Sequence, residues 1–302
     1  MFSYAPGLDR HVEHRRQKVL DDNKLEIQRI KTLNQSLTKE TLTKEITDKL
    51  IDAVERCSLA VEEAETTLEF VSNFRFLFET CIHARLLNME PSFKYKYRLS
   101  IYRHQIEKSQ SLEKNARNSI RELQSIRKKE KEFMKKGSFG ECDALYDELD
   151  KQINILQELA EFHGSDYHAS VIENYISQSK ERENEIEMEW DAVKKQIISD
   201  PVACELFEFK NQTSRVEKAL KDNRTWKKKA TDVGLGDMYD FIYDYSSSLL
   251  HSTSYSTLTP SALELPERLM ILSLSTKVAC DALKSLSSFA RIPNVQVVDF
   301  DG

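Results

Sequence analysis

Hydrophobic positions recur every three or four residues along most of this chain, a period that predicts helices rather than strands. From Leu8 to about Leu37, the positions Leu8, Val12, Val19, Leu25, Ile30 and Leu33 form a thin apolar stripe amid dense charge. That pattern predicts an amphipathic helix docked across others or shared with a partner. Thr38, Thr41 and Thr43 offer N-caps for the next helix, none with the Glu or Gln three residues on that completes a capping box. Ile46, Leu50, Val54, Cys57, Val61, Ala64, Leu68 and Val71 then step by four and three, a heptad-like seam. The seam runs into FVSNFRFLFETCIHARLL, which is apolar on nearly every face and so predicts a central helix with neighbours on several sides. Charges on such a helix need partners, so Arg75, Glu79, His83 and Arg85 are the residues to explain.

Pro91 breaks the pattern, and a long helix is expected from about Phe93 to Met134, carrying Leu99, Tyr102, Ile106, Leu112, Ala116, Ile120, Leu123 and Ile126. Its later part is basic and ends in RKKEKEFMKK before Gly137 and Gly140. Two further helices are expected over Glu141–Phe162 and Asp166–Ile198, the second with the acidic run ERENEIEMEWD. Both charge runs read as solvated helix surface, with weak pairing between them where the helices run antiparallel. After Asp200-Pro201 come a helix over Val202–Asp222 and a last one over Pro266–Phe289, with Leu269, Leu272, Ala279, Leu283 and Leu286 on its apolar side. The expected fold is an all-α helical bundle with long helices. An N-terminal amphipathic helix covers 1–40, and one bundle domain covers 41–292 with a helical hairpin inserted at about 93–200. The tail 293–302 is extended or disordered.

Composition agrees with this reading. Only 7 Gly and 6 Pro punctuate 302 residues, as long uninterrupted helices require. The formal net charge of −6 argues against nucleic-acid binding through the whole surface and leaves room for a local basic face. Cys57, Cys81, Cys142, Cys204 and Cys280 stand singly with no CxxC pair, which points to reduced, mostly buried thiols and away from a zinc site. No metal or cofactor is expected. The chain has no apolar core of signal-peptide length near its start and no stretch of membrane-spanning length, so a cytoplasmic protein without membrane association is expected.

The segment from Trp226 to His251 differs from the rest. Gly234 and Gly236 separate a basic cluster from a tyrosine-rich helix on which Tyr239 and Tyr243, and Ser248 and His251, each lie one turn apart. Phe241 and Tyr245 add aromatic surface. Hydroxyls surround the imidazole in SSSLLHSTSYST; they can fix a histidine tautomer for general-base work, or satisfy loose backbone groups at a helix end. The pattern Trp226 … Gly234-Leu235 … Tyr239 … Tyr243 … Ser248 … His251, with Arg75-x-x-x-Glu79 upstream, resembles an uncharacterised, mostly microbial domain family. It is one of the numbered domains of unknown function (fifty-six seventy-seven), itself similar to the HEPN helical superfamily. The resemblance covers roughly residues 59–290 and rests on few residues.

That resemblance implies a HEPN-like core in which Arg75, Glu79 and His251 converge in one polar pocket. HEPN proteins include metal-independent ribonucleases, toxins and antiviral effectors, and they often pair as homodimers. Their motif is an Arg followed by a His with four to six residues between them, the Arg steadying phosphate charge while the His moves the proton. Here Asp244, Tyr245 and Ser246 occupy the positions before His251, so Arg75 would have to supply the cation from another helix. Ser248 would share the site, and Trp226, Lys227, Lys228, Tyr239, Tyr243 and Tyr245 would line a binding face, with Lys227 to Lys229 as a basic rim. One literal Arg-to-His spacing exists, Arg98 to His104, and chance alone produces about one such pair in a chain this rich in Arg. His11, His14, His163 and His168 lack ligand spacing and read as surface. Three readings remain open: an RNA-directed toxin or defence effector, a non-catalytic module binding a partner protein or nucleotide, and a structural protein assembled through its long helices.

Overall fold

A computed structural model describes residues 8–137, 140, 165–207, 218–250 and 263–292. Among these residues the chain forms nine helices and no strand: α1 Leu8–Leu37, α2 Thr41–Glu63, α3 Thr67–Met89, α4 Phe93–Lys136, α5 Ser165–Ser199, α6 Pro201–Phe207, α7 Trp226–Asp232, α8 Gly236–Leu250 and α9 Leu265–Phe289. None of the described helices is long and apolar enough to cross a membrane. The chain divides into two compact units. The first takes the described residues up to Tyr97, Leu206 and Phe207, and those from Ala219 onward; the second takes Arg98–Glu205 and Lys218.

The first unit is built around α3, which packs against α2, α7, α8 and α9. Phe70, Phe74, Leu77, Phe78, Cys81, Ile82 and Leu87 point into the core from different sides of that one helix, so its sequence shows no single apolar stripe. Each such side chain contributes about 1.5–3 kcal/mol by leaving water. Ile51 and Val54 from α2, and Ile271, Ala282 and Leu283 from α9, complete the centre. Helix α1 lies on α2 and α9. Asn23 ties it to α9 by donating to the Thr276 carbonyl at 3.0 Å, and Arg16 ties it to α2 through both Glu62 oxygens at 2.6 and 2.7 Å.

The heptad-like seam from Ile46 to Val71 is not one helix. The chain leaves helical geometry at Ala64, and α3 restarts behind Thr66, whose side chain accepts from the Glu69 N–H while Glu69 reaches back to the Thr66 N–H. This capping box satisfies two helix-end donors at once, and the Thr-x-x-Glu signal that announces it is legible in the sequence. At the start of α2 the N-cap is Glu40 rather than a threonine, and Thr43 instead donates to the Glu40 carboxylate at 2.8 Å. The helix expected through Asp222 is already lost at Leu220. The helix expected over Glu141–Phe162 and the tail 293–302 lie outside the described residues. At the other end of the same stretch, Phe207 packs against Tyr95 with ring centroids 6.0 Å apart.

In the second unit α4 and α5 run antiparallel. Ile106 and Leu123 on α4, and Ile176 and Ile186 on α5, are buried. Polar contacts join the two helices: Ser109 to Ser179 at 2.9 Å, Gln110 to Glu183 at 2.9 Å, and Lys180 to Glu113 at 3.7 Å. Leu112, counted in the apolar stripe of α4, is exposed.

Candidate functional site

On α3, Arg75 and Glu79 sit one turn apart, and the Arg75 Nε donates to Glu79 Oε1 at 3.2 Å. A carboxylate at that spacing holds the guanidinium in one orientation. The guanidinium carbon lies 4.9 Å from the ring centroid of Tyr243 on α8, within cation–π range. Tyr243 in turn stacks on Tyr239, with centroids 5.5 Å apart and planes inclined by 20°. Neither terminal nitrogen of Arg75 meets a hydrogen-bond acceptor among the described residues. Burial and the neighbouring Tyr243 raise the Tyr239 phenol above its ordinary value, while Arg75 pulls the other way. The result is a partly exposed face that offers oriented N–H donors beside two stacked phenol rings.

The remaining charges on α3 have structural partners. Arg85 Nε donates to Asp281 on α9 at 2.6 Å, and its Nη1 donates to the Val233 carbonyl at 2.7 Å. The Cys81 thiol donates to the same Asp281 oxygen at 3.1 Å, and burial first, then that carboxylate, pushes the thiol well above its ordinary pKa. An Asp within the apolar run VACDALKSL was the available signal for this partner. His83 lies among aromatic rings, with centroids 4.8 Å from Trp226, 4.9 Å from Tyr97 and 6.0 Å from Phe93.

Trp226 therefore meets His83 at the start of α7, and Lys229 covers its ring at 5.1 Å. Every lysine of the expected basic rim faces a carboxylate: Lys227 with Asp240 at 2.9 Å, Lys228 with Asp232 at 2.7 Å, and Lys229 with Asp222 at 3.2 Å. Gly234-Leu235 closes α7. Gly234 adopts φ +73°, its N–H bonds the Thr231 carbonyl, and the Leu235 N–H bonds the Ala230 carbonyl at 2.7 Å. This is a Schellman end, in which the left-handed residue lets two orphan carbonyls be satisfied. Tyr245 donates to Glu267 on α9 at 2.6 Å, and the buried Ser246 donates to the Tyr243 carbonyl at 3.2 Å.

The structure thus brings Arg75, Glu79, Tyr239 and Tyr243 together. It assigns Trp226, Lys228 and Tyr245 to other contacts, and sets Lys227 beside Asp240 in the first half of α8. His251 lies outside the described residues, as does the Ser248 side chain. Arg98 covers the Tyr102 ring at 5.4 Å, while His104 is exposed beside Glu107 at 3.7 Å; their six-residue spacing puts them on different sides of α4. His14 is exposed; the His11 and His168 side chains and all of His163 lie outside the described residues. Cys57 and Cys81 are buried thiols, Cys204 and Cys280 are half-buried, and Cys142 is outside the description. Comparison of the chain with family models, curated proteins and solved structures finds no match.

Proposed function

We propose that the α3–α8 face is an RNA-directed site of HEPN-like character, in a cytoplasmic toxin or defence effector that works as a homodimer. In this reading the Arg75 terminal N–H groups hold a backbone phosphate, and Glu79 keeps the guanidinium aimed. The Tyr239–Tyr243 stack receives an unpaired base. His251, the residue that follows α8 in sequence, takes the proton from a ribose 2′-hydroxyl. The single observation that carries the reading is the Arg75 guanidinium, oriented by Glu79 and Tyr243, with its terminal donors facing no described acceptor. A cation held in place before its anion arrives needs little reorganisation when charge develops.

A second reading has its own support. Tyr245 and Ser246, which stand where a catalytic Arg would precede His251, are engaged by Glu267 and the backbone. A non-catalytic module binding a nucleotide or a partner protein through the same Arg75–tyrosine face requires nothing of those positions. Expression of wild type, Arg75→Ala and His251→Ala chains in a bacterial host, with purified protein assayed on labelled RNA, separates the two. The enzyme reading expects growth arrest and RNA cleavage that fall roughly 100-fold or more in either variant, the usual weight of a general acid–base group for His251 and of a preorganised charge-stabilising donor for Arg75. RNA binding weakened by Arg75→Ala without any cleavage supports the module. Cleavage that survives Arg75→Ala unchanged overturns the assignment of that residue.

A further inference from the structure

One face of α4 within the second unit carries Lys114, Arg117, Arg121, Gln124, Lys128, Lys131 and Lys135. The steps alternate three and four, so all seven fall on one stripe of the helix. All are exposed, and two carboxylates border the stripe, Glu113 beside Lys114 and Arg117 and Glu132 between Lys128 and Lys135. It spans roughly 30 Å at 1.5 Å per residue. Arg117 is paired with Glu113 at 2.6 Å. Lys114, Arg121, Lys128, Lys131 and Lys135 have no ion pair among the described residues. Beside the stripe, Arg117, Ile120, Arg121 and Gln124 of α4 and Glu173 and Ile176 of α5 line a recess of about 300 Å³.

We infer that this stripe is a docking surface for single-stranded RNA. A straight row of six cations, broken at Gln124, matches a polyphosphate backbone, and a recess lined by two arginines with Ile120 and Ile176 matches an unpaired base laid beside it. An anionic membrane is the poorer fit, because a surface-lying helix inserts an apolar face, and the apolar side of α4, with Ile106 and Leu123, is buried where α5 buries Ile176 and Ile186. The stripe itself is argued from charge alone; the choice of RNA over DNA rests on the reading given to the Arg75 face.

The test uses the full chain with a fluorescent 20-nucleotide oligouridylate, the DNA oligomer of matching sequence, and phosphatidylserine vesicles. Six neutralised phosphates give a salt slope of log K of about −4, at roughly −0.7 per contact on a single strand. Lys128→Glu/Lys131→Glu/Lys135→Glu is expected to halve that slope and weaken binding at least tenfold at low salt. An unchanged slope in the triple variant overturns the proposal, as do equal affinity for the DNA oligomer, vesicle binding in place of RNA binding, or loss of self-association as the only effect. Cleavage is read separately. Steep RNA binding without cleavage keeps the stripe and removes the catalytic reading, and cleavage with an indifferent triple variant does the reverse.

Discussion

At the scale of single residues, the decisive feature is how the buried charges are matched. Asp222, only 9% exposed at its side chain, meets Arg224 at 2.8 Å and Lys229 at 3.2 Å and accepts the Arg224 backbone N–H at 3.2 Å. Burial pushes its carboxyl up, but those hydrogen bonds and charges outweigh it and hold it below the usual range. A carboxyl depressed in the folded state contributes stability above its unfolded value of about 3.9 and loses it as the pH falls through the lower native value. Asp222→Ala is therefore expected to cost about 3 kcal/mol near neutrality, because it takes the carboxylate from Lys229 and leaves Arg224 to Glu90 at 3.0 Å and Asp232 at 3.4 Å. Urea titrations of the two proteins should converge as the pH drops below 4. A constant gap across that range would assign the loss to packing instead.

The same scale shows what the sequence made legible. Arg75, Glu79, His83 and Arg85 stood out because they sit on a helix otherwise fit only for a core. What their partners were was harder to read. Asp281 lies about 200 residues away on α9, and the ring cage of His83 draws on α4 and α7. Lys227–Lys229 read as a basic rim: the i,i+4 spacing of Lys228 and Asp232 on α7 is legible, but Asp240 and Asp222, which meet Lys227 and Lys229, lie outside that helix. Sequence spacing reports neighbours along one helix and is silent about partners across several.

Helix ends govern the scale of elements. Periodicity placed α1, α4, α5 and α9 within a few residues of their observed bounds, because long amphipathic runs fix a helix's existence. It failed at Ala64–Thr66, where the apolar step carries straight across a break that the Thr66–Glu69 box makes. Gly234 holds the other important end. An added Cβ there meets no atom nearer than Arg85 Nη1 at 4.0 Å, so space is not the obstacle; φ +73° is. Gly234→Ala is expected to cost about 1–2 kcal/mol, the ordinary strain of a left-handed non-glycine residue. It should also loosen the Val233 carbonyl from Arg85. Thermal unfolding measures the first effect, and faster amide exchange at α7 than at α3 reports the second.

For the whole molecule, the contact between Tyr95 and Phe207 matters most. These residues flank a stretch of more than a hundred, yet their rings touch, and Lys96 also reaches the Phe207 ring at 6.0 Å. Replacing residues 98–205 by a short Gly/Ser linker is expected to leave the first unit folded, with a single cooperative unfolding transition by circular dichroism. The shortened chain should lose the salt-dependent RNA affinity carried by α4. A molten, uncooperative product would mean that the first unit needs the hairpin to fold.

Because its two anchor points already stand side by side, the helical hairpin is a cassette. Its length, its charge pattern and even its identity are free to drift at little expense to the core. Selection can then remodel what the protein grips independently of what holds it together.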